Sequence, residues 1–259
     1  MFHRIVPDNA HSTGAQISLP VSMLRQKLEF LERHGFTAVT LRDYDLYVRG
    51  ELFLPARPII LTFDDGYLDT YELAFPLLQE YGMKAVVFVL ADRNAKTNSW
   101  DSTDISPRVQ LMGDKEILEL HRAGFEIGSH TLTHADLTAL PRDAAWEEIS
   151  RSRQLLEILL NDRVRAMAYP FGKLTPELKE MVKGAGYAFG CGAWSGPLAF
   201  QRDPYEIRRI LIHERNGMAG FAMQVLGPYQ QYRWALWKAQ TFMRRIAPGS
   251  GGPPASEYP

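Results

Sequence analysis

The chain has 259 residues, 46% hydrophobic and 23% charged, the balance of an ordinary globular protein. A formal net charge of −1 supplies no broad positive field, so no nucleic-acid partner is expected. The single cysteine, Cys191, excludes an intrachain disulfide, and no run approaches the roughly 20 apolar residues of a membrane-spanning helix.

Strand and helix patterns alternate along the chain. The stretch from Met1 to Ile17 carries His3, Arg4, Asp8 and His11 and no apolar signal core, so the expected location is the cytoplasm. Leu24, Leu28 and Leu31 recur at helical spacing until Gly35. Phe36 to Leu41 reads as a short strand, and Pro58 to Phe63 as a strand buried on both faces. A helix is predicted over Leu68 to Tyr81, then a buried strand over Ala85 to Leu90. The polar stretch Asn94 to Met112, with Trp100, reads as a long loop that forms a lid or substrate wall. Asp114 is expected to cap a helix through His121. A strand at Phe125 to Gly128, a helix at Asp143 to Leu160 and a strand at Arg165 to Tyr169 follow. Thr175-Pro176 is a good N-cap and first-turn pair for a helix to Lys183. Tyr187 to Gly190 and Ile207 to Ile212 are the last predicted strands. This alternation argues an α/β fold with a parallel sheet, whose chemistry gathers at the carboxyl ends of the strands.

Four groups sit just past predicted strands: Asp64-Asp65, His130 with His134, Pro170-Phe171 and His213. One carboxylate and two histidines can hold a divalent metal and leave coordination positions open. A second carboxylate beside them is what metal-assisted hydrolysis needs as a base.

The motifs TFDDG (62–66), HTLTH (130–134) and AYPFG (168–172), in this order, resemble those of the polysaccharide deacetylases of carbohydrate esterase family 4, the NodB-homology domain. The resemblance runs from about Phe2 to about Phe221. It implies a distorted (β/α)7 barrel and metal-dependent removal of acetyl groups, mostly N-acetyl from amino sugars. It implies that Asp65, His130 and His134 bind the metal and that Asp64 is the base. An i, i+4 spacing would set the two histidines on one face of a helical turn. Zn²⁺ is the default for such donors, with Co²⁺, Ni²⁺ or Mn²⁺ as alternatives. The resemblance makes the Phe171 N–H an oxyanion donor after Pro170, and His213 the acid that protonates the leaving amine. Leu211 and Ile210 would help form the acetyl pocket, and Trp194 would line the substrate groove. His3 resembles the opening of many short relatives and is left outside the catalytic set. The best-described members orient the base with an arginine two residues before the motif proline; this chain has Ala168 there. Arg165, Arg208 and Arg209 are candidates to replace it.

The expected organisation is a deacetylase-like domain over 1–227, an amphipathic basic helical tail over 228–247 and a disordered tail over 248–259. Ala235, Ala239, Phe242 and Ile246 share one helical stripe opposite Arg233, Lys238, Arg244 and Arg245. Such a helix either docks on the barrel or, through residues 232–246, lies on an anionic membrane surface, at the inner face for a cytoplasmic protein. The expected substrate is a glycan or lipid-linked sugar. The same site would also serve an O-deacetylase or a small-amide amidohydrolase, and a non-catalytic carbohydrate-binding protein could keep the fold.

Overall fold

The computed structural model describes residues 1–9, 17–101, 108–193, 203–215 and 217–227. In chain order the elements are β1 (Arg4–Val6), β2 (Ser18–Pro20), α1 (Val21–Arg33), β3 (Thr37–Ala38), α2 (Leu41–Val48), β4 (Pro58–Ile59) and β5 (Thr62–Phe63). After a π-type turn at Thr70–Ala74 come α3 (Phe75–Glu80), β6 (Val86–Val89), α4 (Asp114–Arg122), β7 (Glu126–Ser129) and α5 (Arg142–Leu160). The chain continues through β8 (Ala166–Ala168), α6 (Pro176–Gly184), β9 (Phe189–Gly192), β10 (Ile207–Arg208) and α7 (Met218–Val225). No helix among the described residues is long and apolar enough to cross a membrane. The expected tail helix, its membrane contact and the terminal tail lie outside the described residues, as does Trp194.

Six parallel strands run in the order β10-β9-β8-β7-β6-β5. The N-terminal residues fill the gap between the two edges. Phe2 N–H donates to Thr62 O at 2.8 Å and Asp64 N–H to Phe2 O at 3.0 Å. On the other side Ile212 N–H donates to Met1 O at 2.9 Å. The sheet therefore curls into the expected distorted barrel, with Met1–Phe2 in the seventh position.

Period-2 alternation sorts the side chains into two cores. Val86, Phe88, Ala166, Ala168, Phe189, Cys191 and Ile207 point into the barrel, with Leu41 beside them. Val87, Val89, Ile127 and Met167 point outward, against Leu24, Leu28, Leu31, Ile149 and Leu156 of the helices. Fully burying each such aliphatic side chain contributes about 1.5–3 kcal/mol. The barrel is narrow, so small residues face large ones. Phe88 pairs with Gly128, and a Cβ on Gly128 would lie 2.5 Å from the Phe88 ring.

Several boundaries differ from the sequence reading. Pro58 to Phe63 is not one strand: β4 pairs with β3, whereas β5 belongs to the barrel. A continuous apolar run cannot reveal that its two halves pair with different partners. The last strand is shorter, because only Ile207–Arg208 pairs with β9 before the chain turns to meet Met1. The N-cap of α4 is Gly113, whose N–H donates to Glu116 Oε2 at 2.8 Å, and Asp114 is already inside the helix. The base of the 94–112 loop is ordered as well, with an antiparallel bridge between Thr97 and Gln110.

Candidate active site

Asp64 and Asp65 leave the end of β5 in different directions because the backbone turns between them. Asp65 and Gly66 both have φ of 72°. The left-handed conformation is free for Gly66 but strained for an aspartate. Asp64 continues the inward alternation of Thr62, and Asp65 is turned toward β7 and its following loop. All four side chains of the two motifs are buried.

The loop after β7 is not a helical turn, which corrects the i, i+4 expectation. It is an extended loop with two left-handed residues, Thr131 and His134, each at φ 66°. A left-handed β-branched threonine is a genuine outlier and persists only where its surroundings fix it. Here they do. Thr131 N–H donates to Ser129 Oγ at 3.2 Å, and His134 N–H donates to Thr131 Oγ1 at 3.1 Å. Glu148 of α5 reaches under the loop, its Oε2 accepting from Leu132 N–H at 3.0 Å and Thr133 N–H at 2.9 Å. Its Oε1 accepts from the Thr133 hydroxyl at 2.7 Å. Four of the five described non-glycine residues with positive φ are Asp65, Thr131, His134 and Phe171. The strain is thus concentrated in the three motifs, at about 1–3 kcal/mol each.

The result is a convergent donor set. His130 Nε2 and His134 Nε2 lie 3.1 Å and 3.3 Å from the same atom, Asp65 Oδ1. Ligands held at about 2.0–2.1 Å around a tetrahedral Zn²⁺ stand roughly 3.3 Å apart, so these atoms fit such an ion. His130 Nδ1 lies 2.8 Å from Ala168 O, which fixes a proton there and turns Nε2 toward Asp65, the nitrogen whose lone pair a bound ion would take. These three residues are the metal-capable cluster found among the described residues. Burial pushes the Asp65 carboxyl upward, yet hydrogen bonds from His130 and His134 and nearby imidazole charge outweigh it and hold the group well below its ordinary value. Burial lowers His130, but Asp65 and Asp64 raise it further, to a net upward shift.

Arg209 supplies the group missing at position 168. Its two terminal nitrogens donate to Asp64 Oδ1 at 2.6 Å and Oδ2 at 2.7 Å, a bidentate clamp. Its Nε donates to Gly192 O at 3.1 Å, and the guanidinium rests on the Phe88 ring at 5.1 Å. The Phe88–Gly128 packing thereby sets the height of the clamp. Burial raises the Asp64 carboxyl, but Arg209, then His130 and His3, bring it below the usual value. Arg165 faces Asp45 and Arg208 faces Glu206, so neither takes this role.

Pro170 is buried in a turn that holds Phe171 at φ 58°, and the Phe171 ring stands edge-on to His134 at 4.8 Å. Trp100, from the 94–112 loop, stacks on the other side of His134 at 4.3 Å and 20°. The loop therefore forms a wall of the site. Phe171 is 48% exposed and free to meet a ligand. Leu211 is half-buried and continues the inward alternation of Arg209, whereas Ile210 packs with the outer core and does not join the pocket. His213 is not brought to the acidic pair. Burial lowers it, and the charges it meets are those of Arg215 and Lys27.

His3, left aside in the sequence reading, is among the site residues. Burial lowers its pKa, and the charges acting on it are Asp65, Asp64, Arg209 and His130. Glu148 was also missed. Its signal was a carboxylate on the buried stripe of α5, between Ala145 and Ile149.

Comparison with known proteins places the chain by sequence and by fold. The polysaccharide deacetylase homologue YxkH of Bacillus subtilis is 25% identical over 222 residues, spanning 86% of this chain and 72% of its own. A poly-beta-1,6-N-acetyl-D-glucosamine N-deacetylase of Staphylococcus aureus is 23% identical over 206 residues, spanning 76% of this chain and 68% of its own. In fold, the chain resembles the deacetylase PplD of Streptococcus pyogenes with a TM-score of 0.72 and 21% identity, covering 86% of this chain and 95% of that one. IcaB of Ammonifex degensii gives 0.66 and 23%, covering 83% and 91%. The polysaccharide deacetylase model matches residues 54–190, more than half of the sequence, and the chain belongs to that family.

Proposed function

We propose that this protein is a metal-dependent hydrolase that removes N-acetyl groups from an amino-sugar glycan or glycolipid. The observation that carries this reading is the convergence of two imidazole nitrogens on Asp65 Oδ1 beside an arginine-clamped Asp64. Asp65, His130 and His134 would hold the ion, Zn²⁺ by donor chemistry, with Co²⁺, Ni²⁺ or Mn²⁺ able to use the same donors. Bound there, it supplies Lewis acidity to the acetyl carbonyl and the attacking water.

The chain's own residues do the rest. Asp64, ionised and oriented by Arg209, takes the proton of the attacking water. The Phe171 N–H stabilises the oxyanion, a contribution of about 3–4 kcal/mol for such a donor. Leu211 receives the acetyl methyl, while Trp100 and Phe171 offer aromatic faces to the sugar. The S. aureus relative's name, which specifies N-acetylglucosamine, supports the amide over an ester.

Acetate release tests this reading on β-1,6-linked N-acetylglucosamine oligomers, chitooligosaccharides and acetylated xylan. The expected outcome is acetate from an amino-sugar oligomer, lost after chelation and restored by Zn²⁺. Acetate from xylan alone, or an unchanged rate after exhaustive chelation, would overturn it.

A further inference from the structure

A glycan that reaches Asp64 extends beyond the catalytic pocket, and the protein surface beside the rim meets its neighbouring units. A groove lies on that surface. Helix α5 follows the histidine loop and α6 follows the Phe171 turn, so the amino ends of both helices stand at the carboxyl rim of the barrel. The two lead-in loops are tied together by Lys173 Nζ, which donates to Asp136 Oδ2 at 2.6 Å. Between the helices runs an open groove of about 380 Å³, lined by Arg142, Asp143 and Trp146 of α5 and by Glu177, Glu180 and Met181 of α6.

The floor and the rim of this groove differ in chemistry. Met181 is buried, and Trp146 is 41% exposed. Gly184 carries no side chain to hold the indole away: a Cβ there would stand 3.6 Å and 3.8 Å from benzene-ring atoms of Trp146. The indole is thus backed by α6 and still open to a ligand. A concave site with an aromatic surface and a few charged groups fits an amphipathic ligand. The rim carries three carboxylates. Asp143 and Glu177 lie in the first turns of their helices, where they complement the helix ends. Glu180 lies beyond the first turn, and at i, i+3 from Glu177 it puts two like charges on one face, an arrangement that costs stability. Arg142 Nε lies 3.4 Å from Glu177 Oε1, but both side chains are exposed, and such a pair contributes little. Lys179 is engaged with Asp203 and Glu206. Neither Asp143 nor Glu180 has an ion-pair partner among the described residues.

An amino sugar whose acetyl group has been removed matches both halves of the groove. Its ring hydrogens form an apolar face for Trp146, and its basic amine, once protonated, is a cation for Glu177 and Glu180. We propose that the α5–α6 groove is a second saccharide-binding site, which holds the deacetylated stretch of the chain while a neighbouring acetylated unit occupies the catalytic site. This rests on the deacetylase reading above. An acetylated unit keeps the flat face but lacks the charge, so the groove favours product units over substrate units. Two points of attachment raise the effective concentration of the chain at the catalytic site. KM for a long chain therefore falls as amines accumulate on it, whereas kcat on a short oligomer is untouched.

The test compares wild type, Trp146→Ala and Glu180→Gln. Calorimetry measures binding of a fully deacetylated glucosamine oligomer, its N-acetylated form and a neutral glucose oligomer of equal length, and kcat is measured on an N-acetylated disaccharide. Wild type should bind the deacetylated oligomer most tightly. Trp146→Ala should weaken that binding about 10-fold. Glu180→Gln should weaken it about 2–5-fold and reduce its salt dependence. Both variants should keep the wild-type kcat on the disaccharide and raise KM for a partly deacetylated chain. Glu180 is exposed, so its replacement leaves the fold intact even where the loss of Trp146 does not. Equal affinity for the deacetylated oligomer in all three proteins, equal affinity of wild type for charged and neutral oligomers, or a fall in kcat on the disaccharide would overturn the proposal. Acetate release without binding in the groove refutes this inference alone. A wild type that releases no acetate from any amino sugar refutes the function, and the inference with it, so the two failures are distinguishable.

Discussion

The barrel buries carboxylates at both ends of its strands, and the two ends behave oppositely. At the carboxyl end Asp64 and Asp65 are buried yet held below their ordinary pKa, because Arg209 and the imidazoles surround them. At the amino end Glu126 has the Arg42 N–H on its Oε2, at 2.8 Å, with the charge of Arg165 at a distance and a weaker contribution from the Thr40 hydroxyl. Its Oε1 is buried without a partner, and burial pushes the group up to about 7. Depth alone does not decide whether a buried acid is charged; the fixed donors around it do. The barrel concentrates such donors at one rim, where strand ends and left-handed turns aim them inward.

The largest effect that sharpens this contrast is expected from Asp64→Asn. It keeps the hydrogen-bonding shape but removes the proton acceptor, so kcat should fall about 10²–10⁴-fold while metal analysis stays unchanged. Full activity in that variant would remove Asp64 from the mechanism. Arg209→Met should make Asp64 resemble Glu126. An uncompensated buried charge costs about 3–5 kcal/mol, read as a lower denaturant midpoint. Because Arg209 holds the base low, its loss should also move the acid limb of the kcat/KM profile to higher pH. An acid limb that stays in place would show that the clamp does not tune the base.

Glu148→Gln tests the support beneath the histidine loop. One acceptor oxygen would be replaced by an amide that cannot accept, and metal affinity should weaken about 10–100-fold by competition titration. The smallest effect is expected from Glu126→Gln. The unfolded chain loses this proton near 4.5, whereas the folded chain keeps it to about 7. Stability therefore falls as pH rises between these values. The variant should be more stable than wild type at pH 8, by about 1–2 kcal/mol, and little different at pH 4. Equal stabilities at pH 8 would show that Glu126 finds a compensating charge.

Much of the fold was legible because buried parallel strands leave apolar runs, and Val86–Val89 and Ala166–Ala168 fall inside their predicted segments. The boundary between β4 and β5 was not, since pairing partners are chosen by distant chain. Among site residues, Asp64, Asp65, His130 and His134 stood out by type and spacing, and the structure brings all four together. Arg209 was only one of three arginines until its bidentate contact appeared. His3 was set aside because a short N-terminal segment has no periodicity to place it.

The sequence by itself determined the residue types of the site and the strand ends that carry them, because polarity patterns and turn residues act over a few neighbours. Only the tertiary structure decided which arginine orients the base, which glutamate holds the histidine loop and which imidazole joins Asp64. Barrel closure sets Arg209 against Asp64 across 145 residues of chain, and Met1–Phe2 between the sheet edges. Such contacts are fixed by the geometry of closing a curled sheet, which no local pattern encodes.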